Sequence, residues 1–180
     1  MADPLVTPDA SWSRRVGLSE VARAPVRMDL EAEESARRAA AAELALVAID
    51  HLVGGATVSA WLDGLQVDAA WRARVTQTCG VTLEAFDAEL SGRFQVRAVP
   101  PGSPAAARDD PEVEIDLSTP DPPDLLEGDS IDVAALLVEH LALELDPFPR
   151  KPGVQFEPPP DESPESPFAV LSTLRSRSDG

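Results

Sequence analysis

The stretch "LQVDAAWRARVTQTCGVTLEAFDAELSGRFQVRA", residues 65 to 98, alternates apolar and polar side chains twice, with an irregular passage between the two runs. Leu65, Val67, Ala69, Trp71, Ala73 and Val75 interleave with Gln66, Asp68, Arg72, Arg74 and Thr76. Ala88, Leu90, Phe94, Val96 and Ala98 interleave with Asp87, Glu89, Ser91, Arg93, Gln95 and Arg97. A period of two sends neighbouring side chains to opposite faces, so each run predicts an antiparallel strand with one buried and one wet face. Arg72 and Arg74 can then face Asp87 and Glu89 across the strands, pairs that fix register more than stability.

The pattern extends outward in both directions. Val58, Ala60 and Leu62 alternate with Thr57, Ser59 and Trp61, and "DG" at 63 and 64 predicts a two-residue hairpin turn, where positive φ is required. Val26, Met28 and Leu30 alternate with Arg27 and Asp29, and Pro25 confines that run to a strand start or an edge. Val113, Ile115 and Leu117 predict one more strand. Residues 32–47, "AEESARRAAAAELALV", are strong helix formers with an apolar stripe of Ala36, Ala40, Leu44 and Val47, closed by the glycines at 54 and 55. Residues 130–146, "SIDVAALLVEHLALELD", predict a second helix, capped by Asp129 or Ser130, with Asp132 in its first turn and Pro147 as its stop. The expected fold is a single α+β domain with a central antiparallel sheet of about four or five strands and two covering helices. Open and barrel-like closures both fit this pattern. The domain is expected over 20–150. Residues 1–19 read as a mobile lead-in and 151–180 as a tail rich in Pro, Ser and acid, with a docking segment at 166–174.

Composition narrows the function. The formal charge of −17 opposes a nonspecific grip on nucleic acid, which needs cations to displace counterions at phosphates. It favours solubility or a basic protein partner. From Asp109 to Asp146 there is no Lys or Arg at all. The single cysteine, Cys79, excludes an internal disulfide, and with only His51 and His140 beside it a structural zinc site lacks ligands. No apolar run reaches a membrane span, and the first residues lack a signal core, so a soluble, cytoplasmic protein is expected, with no membrane partner.

Cys79 lies on the apolar register of its strand and reads as a small core side chain. The connection Gly80–Glu84 is longer than a tight hairpin needs. It is either an idle bulged turn or a contact surface, since extra length at a hairpin tip often carries function. His140 and Glu144 stand four apart on the second helix, as a metal pair would, but further ligands are missing. Arg72, Arg74, Arg93 and Arg97, with Trp61 to stack on a base, would be the tools of an RNA-binding sheet face. Arg150 and Lys151 form a small basic point.

Two passages resemble the YceD family. "VTQTCGVTLEAF" is similar to the family's central motif, and "LLEGDSIDVAALLVEHLALELDPFPRKPG" to its second signature, an acidic lead into a helix with a Pro-rich exit. "PFAVLSTL" is similar to the C-terminal end of the alphaproteobacterial branch. The resemblance covers about residues 20 to 175. It implies a non-enzymatic role in accumulation of 23S ribosomal RNA and large-subunit biogenesis, with no established catalytic residues. The cysteine cluster of many members is missing from "DPFPRKPGVQFEPPP", which puts a zinc role in doubt. The expected partner is a basic ribosomal protein or assembly factor, and RNA binding by the arginine-bearing face is the alternative. Gln77, Thr78, Cys79, Gly80, Thr82, Leu83, Glu84, Asp129, Asp132, Arg150 and Lys151 are the candidate partner-binding residues. No catalytic residue, metal ligand or cofactor is assigned.

Overall fold

Both long alternating runs are strands. The computed structural model describes residues 12–106 and 122–156. In chain order these form β1 (Arg15–Gly17), α1 (Leu18–Val21), β2 (Val26–Glu31), α2 (Glu34–Glu43), β3 (Ala48–Trp61), β4 (Gly64–Thr78), β5 (Ala85–Val99), β6 (Asp124–Leu125), β7 (Ser130–Asp132) and α3 (Val133–Glu144). The main sheet has the order β2-β3-β4-β5-β6. Its first four strands are antiparallel, and the short β6 adds in parallel at the β5 edge. The order ends at β2 and β6, so among the described residues the sheet is open. β1 and β7 form a separate two-stranded ladder. The expected strand at 113–117 and the docking segment at 166–174 lie outside the described residues.

The buried face carries the apolar register. Leu65, Val67, Ala73 and Val75 of β4 are fully covered, as are Leu137 and Leu141 of α3. Burying a Leu or Val side chain contributes about 1.5–3 kcal/mol each, and this face is the largest source of stability. α2 packs on β3 through small side chains, with Ala36, Ala40 and Ala41 buried. Trp71 sits at the centre, with glycines as its register partners on both sides, Gly54 and Gly92. A side chain at Gly92 would lie 2.9 Å from the indole, and one at Gly54 would lie 2.5 Å from Leu137 Cδ2. The two glycines make room for the tryptophan ring and for the helix above the sheet.

Several boundaries differ from the sequence reading. β3 begins at Ala48 and runs through the glycine pair, which was expected to end a helix. A bulge between Ile49 and His51 puts Ile49 and Leu52 on the same buried face three residues apart, a spacing that disguises a strand. α2 is shorter than 32–47. Ala45 takes φ 53, and the amides of Ala45 and Leu46 bond back to Ala42 O and Ala41 O, a left-handed helix stop. Val47, expected on the buried stripe, is exposed. The hairpin turn consists of Leu62 and Asp63, with Trp61 paired to Gly64 and only Leu62 at positive φ. Arg15–Ser19, read as part of a lead-in, form β1 and the start of α1, and Val16 is fully buried.

α3 starts at Val133 because residues 130–132 are used by β7. Asp132 is its cap, in place of Asp129 or Ser130. Its carboxylate accepts the amides of Ala134 and Ala135 at 3.1 and 3.3 Å, the Arg14 amide at 2.9 Å and the Ser13 hydroxyl at 2.5 Å. Burial pushes the Asp132 carboxyl up, and the Ser13 and Arg14 bonds with the two helix amides outweigh it, holding the group below its ordinary range.

Candidate functional site: the hairpin tip and the exit of the last helix

The connection between β4 and β5 is closed by its own backbone. The Cys79 amide donates to Glu84 O, and the Leu83 amide donates to Cys79 O, both at 2.9 Å. This turn places Leu83 at φ 59. A bulky side chain in the left-handed region costs about 1–2 kcal/mol relative to glycine. The side chain is nevertheless 78% exposed.

A second segment locks onto this tip. After α3 the chain turns at Pro147, and the Asp146 carboxylate accepts the Phe148 amide at 2.8 Å. The Gly80 amide then donates to Pro149 O at 2.8 Å. The Lys151 amide donates to Cys79 Sγ at 3.4 Å, and the Lys151 ammonium donates to Glu84 Oε2 at 2.9 Å. Two residues of the exit segment, Pro149 and Lys151, thus meet three of the loop, Cys79, Gly80 and Glu84, through backbone and side chain together.

Cys79 is the hinge of this junction. It has no exposed surface, and its cover is thin: its own loop on one side and the exit segment on the other. The Lys151 amide, the Thr82 hydroxyl and amide, and the Val81 amide all favour the charged sulfur over the opposing burial, so the thiol is pulled down to about 6. Lys151 in turn holds Glu84 below its ordinary range, and Glu84 with the sulfur holds Lys151 above its own. The sequence reading of Cys79 as core is therefore incomplete. The residue is buried, and its sulfur also serves as an acceptor for two backbone segments.

Of the candidate residues, the structure brings Gln77, Thr78, Cys79, Gly80, Thr82, Leu83 and Glu84 together with Arg150 and Lys151. Asp129 and Asp132 lie elsewhere. α3 has 12 residues, and they sit at its start while the tip sits at its exit, about 18 Å away along the axis. Asp132 is occupied by capping. Phe148 and Pro149 escaped the sequence reading, although "DPFPRKPG" carried the signal of a chain forced out of a helix.

The wet sheet face is the other surface of interest. Arg74 lies 2.9 Å from Asp87, 3.8 Å from Glu89 and 3.9 Å from Asp50, and these carboxylates, Asp87 first, raise its pKa further. Arg97 lies 5.0 Å over the Trp61 ring and donates to Gln66, which with Gln95 holds the Asp68 carboxylate. Of the four arginines named for an RNA face, Arg72 and Arg93 make no ion pair among the described residues. They line an open trough of about 820 Å³ whose floor is Gly55 and Ala70 and whose far wall is Asp29 and Glu31. His140 stacks on Phe94 at 3.8 Å and hydrogen-bonds Leu136 O, so it packs the helix to the sheet. Among the described residues, no group of three or more His, Cys, Asp and Glu is placed to hold a metal, and no helix is long and apolar enough to cross a membrane.

Comparison with curated proteins finds no match, and comparison with solved structures finds none. A family model, Large ribosomal RNA subunit accumulation protein YceD, matches residues 67–175, a narrower span than the 20–175 of the sequence reading. The match includes nearly all of β4, the tip, β5, α3 and the exit segment, and leaves out every element from β1 to β3. It covers more than half of the 180 residues, and the chain belongs to the YceD family of large ribosomal RNA subunit accumulation proteins.

Proposed function

We propose that the protein supports accumulation of 23S ribosomal RNA as a non-enzymatic binding factor that holds a basic ribosomal protein or assembly factor. The observation that carries this reading is the acid-rich run of β6, β7 and α3, in which only Glu127 is paired with a base, Arg15 of β1, among the described residues. Residues 122–146 contain Asp124, Glu127, Asp129, Asp132, Glu139, Glu144 and Asp146 with no Lys or Arg, and all but Asp132 are exposed. Such a field attracts and orients a cationic partner, and an RNA-binding protein of the large subunit is cationic by necessity. The family description names RNA accumulation rather than a reaction. The tip, built from loop and exit segment, is the natural contact point because two segments far apart in the chain are joined there.

RNA binding by the wet sheet face is the less supported reading. Arg74 is surrounded by three carboxylates and Arg97 is engaged with Trp61 and Gln66. Two remaining arginines are few for a phosphate backbone.

The test is a sucrose-gradient ribosome profile of cells depleted of the protein, with mature and precursor 23S RNA probed across the fractions. A selective loss of large subunits is expected. An unchanged profile would sink the reading.

A further inference from the structure

We propose that Leu83 and Phe148 are the apolar anchors of the partner surface, and that they seat a segment of a basic large-subunit protein carrying an apolar side chain flanked by Lys or Arg. This rests on the binding role proposed above and names the surface that performs it. Leu83 is 78% exposed and Phe148 77% exposed. Folding supplies no reason for leucine at position 83. Its φ of 59 suits glycine or asparagine, and its side chain packs into no core. Strain and exposure alone do not mark an anchor, since Leu62 shares both; what sets Leu83 apart is the exit segment clamped beside it.

The two side chains are presented from segments that are clamped together. Gly80 bonds Pro149, the residue after Phe148, and Lys151 reaches both Cys79 and Glu84, the residue after Leu83. Asp146 fixes the Phe148 amide. Anchors held in place before binding lose little freedom on association, which is what concentrates binding energy in a few residues. The rim decides the sign of the partner. Glu84 stands beside Leu83, and Glu144 and Asp146 precede Phe148. Glu84 and the local base Lys151 cancel as an ion pair, which leaves Glu144 and Asp146 against Arg150 and a rim of net negative charge. The base-free helix α3 leads directly into the patch, so the charge that complements it is positive.

Leu62 supplies the control. It also has positive φ and is 70% exposed, but it lies at the far end of β4 in a two-residue turn. The experiment titrates individually purified proteins of the large ribosomal subunit against the full chain at low and high salt, and follows each variant by thermal melt. Wild type is expected to bind a basic protein in a salt-sensitive manner. Leu83→Asn is expected to melt no lower than wild type and to bind about tenfold or more weakly. Phe148→Ala is expected to lose binding similarly, and Leu62→Asn to leave it unchanged. Wild-type affinity in both Leu83→Asn and Phe148→Ala would overturn the anchor assignment while leaving the binding role intact. A wild-type protein that binds none of the basic proteins would overturn the anchor assignment and the ribosomal-protein form of the binding role, while a normal ribosome profile on depletion is what would overturn the role as a whole.

Discussion

The two hairpins that flank β4 solve the same problem differently. At one end Leu62 and Asp63 turn the chain in two residues, and at the other the chain takes the longer path from Cys79 to Glu84. The tight turn is supported by β5 and by the loop that directly follows it. Gly64 lies so close to β5 that a side chain there would sit 2.0 Å from Ala98 O, and the Ser103 hydroxyl ties down Asp63 at 2.9 Å. The long turn is supported from outside the sheet, by a segment that comes more than sixty residues later. Its glycine has open space, since a side chain at Gly80 would meet only Pro149 O at 3.6 Å. A turn braced by a neighbouring strand and its loop is a folding device. A turn braced by the exit of the last helix couples two distant parts of the chain and presents them as one surface.

Substitutions at the two ends sharpen this contrast. Gly64→Ala should be the most damaging, at about 4 kcal/mol or more in urea denaturation, because the new methyl meets a backbone oxygen that cannot move aside. A loss under about 1 kcal/mol would show that β5 yields there and that the tight turn is not braced as described. Ser103→Ala should cost about 1 kcal/mol by removing a nearly buried hydroxyl that bonds both Asp63 and the Ala105 amide.

Below about pH 6, where the sulfur's charge no longer contributes, Cys79→Ser should lower the melting midpoint by less than Ser103→Ala, and it should leave the ribosome profile normal. It should also change the pH response. A thiol held at about 6 when folded binds fewer protons than the unfolded thiol between there and the ordinary thiol range. Wild-type stability should therefore rise with pH across that window, with the contribution complete above the ordinary range and absent below about 6. Melts from pH 5.5 to 9 should show a shallower rise in Cys79→Ser, over about the window set by the two thiol values. Parallel curves would remove the sulfur from the bracing of the tip. Gly80→Ala should be the mildest, within about 0.5 kcal/mol. A large loss there would mean that the long turn is as tightly packed as the short one.

How far the sequence carried depended on how local the cause was. β4 and β5 were readable because two long alternating runs, 65–76 and 87–98, leave one solution, and α3 because its apolar face repeats at helical spacing. β3 was half hidden, because the bulge at Asp50 breaks the alternation and the glycines at 54 and 55 imitate a stop. Those glycines are required by Trp71 and Leu137, which lie far along the chain. β1 and β7 are three residues each and exist only by pairing with one another. No local pattern announces such strands.

The candidate site divides along the same line. The composition of the loop, the Pro-rich exit and the excess of acid after Asp109 were all present in the linear order of residues, because charge, turn chemistry and periodicity are properties of short windows. That Lys151 would bond Cys79 and Glu84, that Asp132 would be spent on capping, and that Leu83 and Phe148 would remain uncovered at one end of the sheet came from the packing of α3 along β5 and β4. Those contacts join residues separated by most of the domain, and their geometry exists only after the apolar faces of sheet and helix have found each other.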